Sequence, residues 1–223
     1  GVWIPNNRYA KDAKAIDSIQ DAKTYIQHVS PKGKIKEELI DVYLEKGPEM
    51  IDYLHDNSRV RYQSLEHYPD YFPDDPGGKD GHRSMEPEPV DGSLLKDEFK
   101  SLRPQHPQTV GPLGINFTQV EGQILLGALK GWTGLFLKLF LKFIFDFPFR
   151  LTSLRDRRLT MGNAGIARLK LSLNDRNIPL WLETEFLDLI TKENRIIGIK
   201  ARKDNETVYI KSNRGVVLAA GGF

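Results

Sequence analysis

The last residues of the chain do most to limit its fold. Gly215 opens an uninterrupted apolar run over residues 216–220 that meets Gly221 and Gly222. Apolar runs without alternation belong to strands buried on both faces, the situation in parallel sheets. Before it stand three segments, 186–191, 195–202 and 207–211, that alternate or are rich in β-branched residues. Lys192-Glu193-Asn194 and Lys203-Asp204-Asn205-Glu206 supply turn residues between them. Residues 178–182 read as a further apolar strand, with Pro179 tolerable only near its start. The predicted order is strand, three-stranded meander, buried strand, Gly-Gly. Ala219, Ala220, Gly221 and Gly222 leave no side-chain bulk at a strand's carboxyl end, where open α/β sheets bind ligands. A buried strand with an ordinary turn after it explains the same residues equally well.

The earlier part reads as helical with loops. Asp17 or Ser18 caps a predicted helix running to about His28. Residues 36–46 carry apolar side chains near helical spacing, and Gly47-Pro48 is expected to break that helix and start another, to about His55. A short strand is expected over 60–63. Residues 65–115 hold eight of the thirteen prolines, which exclude helix and central strand from the stretch around Tyr68, Tyr71 and Phe72. Three aromatics in five residues argue that this loop is ordered.

Residues 119–149 are the most apolar stretch, read as one helix over about 120–147 and ended by Pro148. Lys130, Lys138 and Lys142 make a membrane span unfavourable, because charge at mid-bilayer is costly. Two readings remain: a helix lying in a membrane interface through 124–145, or one buried against the rest of the protein. Residues 164–173 form another periodic helix. The fold class is thus α+β, a piece of an α/β domain: a mainly helical part over 1–176, then strand, meander and return strand over 177–223.

Composition removes several classes of chemistry. A net charge of +2 gives no case for nucleic acid. Zero cysteines exclude disulfides, thiolate metal sites and cysteine nucleophiles, and fit a reducing, cytoplasmic setting. The five histidines are scattered without ligand spacing, so no metal site is expected. No G-x-G-x-x-G occurs. Gly1 reads as an internal point of a longer protein.

The stretches Gly1-Val2-Trp3-Ile4-Pro5-Asn6-Asn7, Gly47-Pro48-Glu49-Met50, Tyr68-Pro69-Asp70-Tyr71-Phe72-Pro73 with Gly77-Gly78, Gly81-His82-Arg83-Ser84-Met85-Glu86-Pro87, and Arg214 through Phe223 stand in this order along the chain. Together they resemble the 3-ketosteroid Δ1-dehydrogenases, within the wider fumarate reductase and succinate dehydrogenase flavoproteins. The resemblance implies an FAD-binding domain fragment from the middle of such an enzyme, cytoplasmic or peripheral to a membrane. It further implies a steroid substrate and an external electron acceptor. It places Tyr71 at the position of a tyrosine that assists the base, with Tyr68 and Phe72 as walls of a steroid pocket. Gly1, Val2 and Trp3 match a segment beside the isoalloxazine, and Glu185 and Phe186 match a strand near the adenine. Ala219, Ala220, Gly221 and Gly222 match a strand end at the cofactor. The base itself, the pair that polarises the keto oxygen and the phosphate loop are expected outside residues 1–223. A related flavin reductase acting on dicarboxylates, or a non-catalytic membrane-surface module, are the competing readings. The 223-residue chain alone is therefore expected to turn over no 3-ketosteroid; turnover in a dye-reduction assay would overturn that expectation.

Overall fold

The computed structural model describes residues 1–221. The chain forms two compact units, Gly1–Arg176 and Asn177–Phe223. The class is α+β: helices with antiparallel sheets.

In the first unit, local capping decides the early elements. β1 (Val2–Trp3) leads into a turn where Asn7, fully buried, donates to the carbonyls of Ile4 and His82. The Asn7 side-chain oxygen also accepts from Ala10 N at 2.9 Å and starts α1 (Arg8–Asp12). Ser18 caps α2 (Ile19–Val29) by accepting from Asp21 N at 3.0 Å. α3 (Glu37–Asn57) then runs unbroken through Pro48, where the sequence predicts two helices. Pro48 removes one helical donor. Ile40, Leu44, Gly47 and Ile51 are buried on that helix, which outweighs the lost bond. A Cβ on Gly47 would sit 3.3 Å from the Ile4 side chain, so this glycine lets α3 lie close to the strand end.

β2 (Tyr62–Ser64) and β1 flank β3 (Ser84–Pro87), both antiparallel to it. The loop between β2 and β3 is the proline-rich segment. β4 (Val90–Asp91) pairs with β5 (Arg158–Leu159). The predicted single apolar helix is three: α4 (Gln119–Leu126), α5 (Trp132–Phe145) and α6 (Phe147–Arg150). Left-handed Ala128 and Gly131 separate the first two, and Pro148 lies at the start of α6 rather than at the end of α5. A capping box of Thr118 and Glu121 opens α4. α7 (Met161–Asp175) carries Ala164, Ala167 and Leu171 into a core with Leu95, Phe99 and Leu159. Gly165, the weak point of that helix, faces Pro87: a Cβ there would be 3.1 Å from the proline ring.

The second unit is the meander β6 (Glu185–Lys192), β7 (Arg195–Lys203) and β8 (Glu206–Lys211), in the predicted order. Glu193-Asn194 and Asp204-Asn205 all take positive φ. Two successive positive-φ residues make the tight turn whose twist matches flanking strands. Residues 178–182 and 216–220, expected as parallel-sheet strands, belong to no sheet among the described residues, and Val217 is 90% exposed. An apolar run records a demand for burial, but a ladder needs a neighbouring strand, and no described strand pairs with either segment.

Gly77 ties the proline-rich loop to α2. It holds φ +80°, and a Cβ would lie 2.1 Å from the Asp21 carbonyl oxygen. Gly33, at φ +72°, has open space around it. Gly77→Ala is expected to cost about 1–3 kcal/mol or more in urea unfolding, and Gly33→Ala clearly less, since only its φ is strained.

Candidate functional site

Arg83 enters the interior just before β3 and is 1% exposed. A buried guanidinium needs counter-charge and acceptors for its donors. Its Nη2 donates to Asp17 Oδ1 at 2.8 Å, and its Nη1 donates to Asp70 Oδ2 at 2.8 Å and to the Gly77 carbonyl at 2.8 Å. The guanidinium carbon also lies 5.6 Å from the Trp3 ring centroid and 5.9 Å from that of Tyr25. One cation thus joins the segment before α2, the proline-rich loop and β1.

Asp70 is the second hub. Its Oδ1 accepts from Trp3 Nε1 at 2.6 Å, and its Oδ2 accepts from Lys79 N at 3.1 Å in addition to Arg83. Asp70 N donates to the Lys79 carbonyl at 2.9 Å, closing the loop on itself. Phe72 N donates to the Tyr25 hydroxyl at 3.1 Å. The Tyr68–Phe72 segment is therefore fixed by hydrogen bonds on both sides of Tyr71. Trp3 stacks on Tyr43 with ring planes 7° apart, and the Tyr43 hydroxyl donates to the Trp3 carbonyl. Partial burial pushes the Tyr43 hydroxyl above its ordinary pKa.

These contacts frame a cavity of about 500 Å³, within the range of small-molecule sites. Gly1, Val2 and Trp3 line it together with Tyr68, Tyr71 and Phe72, and Met85, Glu86, Gln119 and Met161 add to its wall. Six sequence-predicted site residues therefore share one cavity. Tyr71 is 92% exposed, while Tyr68 and Phe72 are partly covered. Glu86 is buried, yet its carboxylate is satisfied: one oxygen accepts from Gln63 Nε2 and the other from Gln119 N in the first turn of α4, both at 2.8 Å. Among the described residues no arginine, lysine or histidine lines the cavity.

Glu185 and Phe186 lie in the second unit, at the start of β6. Glu185 sits opposite Arg202, with an ion pair at 3.1 Å, and Phe186 sits opposite Ala201. Ala219, Ala220 and Gly221 are exposed in the second unit, and Gly222 lies outside the described residues. Sequence reasoning missed Arg83, Asp70, Asp17 and Tyr25 as the support of the cavity. Neighbouring Met85 and Glu86 are both buried, so no alternation along this segment marks Arg83 as an inward residue. Among the described residues no cluster of histidine and carboxylate groups suits a metal.

β1 is an edge strand of its three-stranded sheet and lines the cavity together with Gly1. The chain matches the FAD binding domain family over residues 1–223 and belongs to it. FAD is the cofactor that this family binds. The chain is 32% identical over 232 residues to a 3-oxosteroid 1-dehydrogenase of Mycolicibacterium smegmatis, covering 100% of this chain and 39% of that protein. It is 24% identical over 229 residues to a 4-oxocyclohex-2-ene-1-carboxylate 5-dehydrogenase of Sinomonas cyclohexanicum, covering 99% and 37%. In three dimensions it is similar to the 3-ketosteroid Δ1-dehydrogenase of Sterolibacterium denitrificans, a crystal structure in complex with 1,4-androstadiene-3,17-dione. That match has a TM-score of 0.91 and 38% identity, over 100% of this chain and 40% of that one. The chain spans about two fifths of the length of the relatives it matches.

Arg83→Met would leave Asp17 and Asp70 buried without a counter-charge, and is expected to cost about 3–5 kcal/mol in urea unfolding. Trp3→Phe removes one bond to a charged acceptor and should cost less, about 1.5–3 kcal/mol. Equal, negligible losses for both would show that the network does not hold the loop.

Proposed function

We propose that the protein is an FAD-dependent dehydrogenase that introduces a double bond into ring A of a 3-ketosteroid. The observation that carries this reading is the cavity that Tyr68, Tyr71 and Phe72 share with Gly1, Val2 and Trp3. Aromatic and apolar walls favour a flat, apolar substrate. The similarity to 3-oxosteroid 1-dehydrogenases supports the same substrate class.

Oxidation of adjacent ring carbons removes a proton from one and a hydride from the other, and the electron pair left by the proton forms the new double bond. FAD supplies the two-electron acceptor for that hydride, and an external acceptor then takes the electrons on. The residues of this chain bind and orient. Gly1, Val2 and Trp3 give the flavin ring an unobstructed backbone edge. Tyr68 and Phe72 wall the steroid and keep water from it. Tyr71 presents a hydroxyl on a loop held on both sides by Asp70 and by the Phe72 amide. A phenol is a weak base at neutral pH, so a second hydroxyl donating to a base tyrosine lowers the cost of proton removal. Glu185, Phe186 and residues 219–222 belong, in this reading, to the adenine and strand-end side of the cofactor.

A dicarboxylate substrate is disfavoured by the same cavity. Such substrates need cationic clamps, whereas among the described residues the charged side chains lining this one are Asp70 and Glu86. The full-length protein should reduce a dye acceptor with a 3-ketosteroid and show no fumarate reduction. Tyr71→Phe should lower kcat by about 10²-fold or more, while Tyr68→Phe, which keeps the ring, should change KM modestly. Fumarate turnover without steroid turnover would sink the reading.

A further inference from the structure

With 92% of its surface exposed, Tyr71 is not held in place by packing of its own ring. The backbone on either side sets where its hydroxyl stands. Pro69 and Pro73 fix their own φ and restrict Tyr68 and Phe72, which precede them, to extended backbone. Before Tyr71, the Asp70 carboxylate takes bonds from Trp3 Nε1, Lys79 N and Arg83 Nη1. After Tyr71, the tether is a bond to a neutral side chain: Phe72 N donates to the Tyr25 hydroxyl at 3.1 Å. That amide belongs to the peptide bond that Tyr71 itself forms, so the bond acts directly on the Tyr71 backbone.

Tyr25 makes a rigid acceptor. It stands on α2 with 6% of its surface exposed. Its ring lies 6.1 Å from that of Trp3, and the Arg83 guanidinium carbon is 5.9 Å from its centroid. α2 is itself locked to the loop: a Cβ on Gly77 would sit 2.9 Å from Tyr25 N, and Lys79 pairs with Asp21 at 3.0 Å. A side chain whose rotamer is fixed by packing holds its polar atom at a set place. Phenylalanine would fill the same volume and take that acceptor from the Phe72 amide.

We propose that Tyr25 is a positioning residue for the dehydrogenation, acting through the Phe72 amide on the Tyr71 hydroxyl. The proposal rests on the dehydrogenase reading, in which Tyr71 assists the base. Tyr25 and Trp3 form the two sides of one clamp. Trp3 ties Asp70 to β1, and Tyr25 ties Phe72 to α2, so Tyr71 projects from a span of backbone pinned at both ends. An assisting hydroxyl displaced by about 1 Å loses most of its effect, because proton transfer depends steeply on the distance between the oxygens. Tyr25 thus governs turnover more than it governs binding of the steroid.

The test compares Tyr25→Phe, Tyr71→Phe and the double variant in the full-length, FAD-loaded protein with a 3-ketosteroid and a dye acceptor. Tyr25→Phe should lower kcat roughly tenfold or more and leave KM within about threefold. In the Tyr71→Phe background the same change should lower kcat by no more than about twofold, because its target is already gone. An equal loss in both backgrounds overturns the proposal, since Tyr25 then serves the fold or touches the ligand itself. An unchanged kcat for Tyr25→Phe alone also overturns it. A second readout needs no turnover: amide hydrogen exchange across residues 68–79, without steroid, should quicken about tenfold in Tyr25→Phe while β2 and β3 keep their rates. Exchange that is unchanged, or faster in β2 and β3 as well, counts against a local tether. Trp3→Phe, which releases the other side of the clamp, gives the same comparison if Tyr25→Phe fails to fold. A wild type inactive on steroid sinks the dehydrogenase reading, whereas an active wild type that Tyr71→Phe impairs and Tyr25→Phe does not sinks this proposal alone.

Discussion

A guanidinium taken out of water has to find its counter-charges inside the protein, and Arg83 organises the first unit for that reason. Asp17 and Asp70 come from opposite ends of the segment it spans, one before α2 and one in the proline-rich loop. Once both are drawn to Arg83, the loop cannot drift from β1. The Trp3 indole donor then falls within reach of Asp70, and the Trp3 ring packs between Tyr25 and Tyr43. The cavity wall carrying Tyr68, Tyr71 and Phe72 is a consequence of that charge balance. Proline alone would make this loop stiff, but stiffness does not choose a position; the buried ion pairs do.

The same first unit shows how apolar surface is shared between core and exterior. Leu139 and its neighbours close one core, while Leu137 and Leu141, two residues to either side, point away from it. The helix is apolar nearly all round, and its lysines occupy only one edge. Residues 216–220 pose a related case in the second unit. They have no ladder to join among the described residues, and residues 217–220 lie exposed with Val216 half-buried. In both segments composition states a need for burial and leaves open which surface meets it.

Much of the local structure was legible. Ser18 capped its helix as expected, the three meander strands lie where alternation put them, and Glu193-Asn194 and Asp204-Asn205 made the hairpin turns. Gly1, Val2, Trp3, Tyr68, Tyr71 and Phe72, gathered by resemblance, do line one cavity. Pro48 misled because the penalty of a proline inside a helix is finite, and burial of Ile40, Leu44 and Ile51 exceeds it. The apolar stretch around residue 130 misled because a mean over many residues hides a turn at Ala128 and Gly131.

The sequence by itself determined what acts over a few residues: caps, hairpin turns, strand alternation and the proline-rich loop's exclusion of helix. It also carried the motifs that resemble a flavoprotein dehydrogenase. Only the tertiary structure decided that Arg83 is buried between Asp17 and Asp70, that Trp3 donates to Asp70, and that one long helix passes through Pro48. It also decided which apolar runs find a partner. These outcomes depend on groups brought together from as many as 67 positions apart, as Trp3 and Asp70 are, and hydrophobic patterning along the chain carries no information about such pairings.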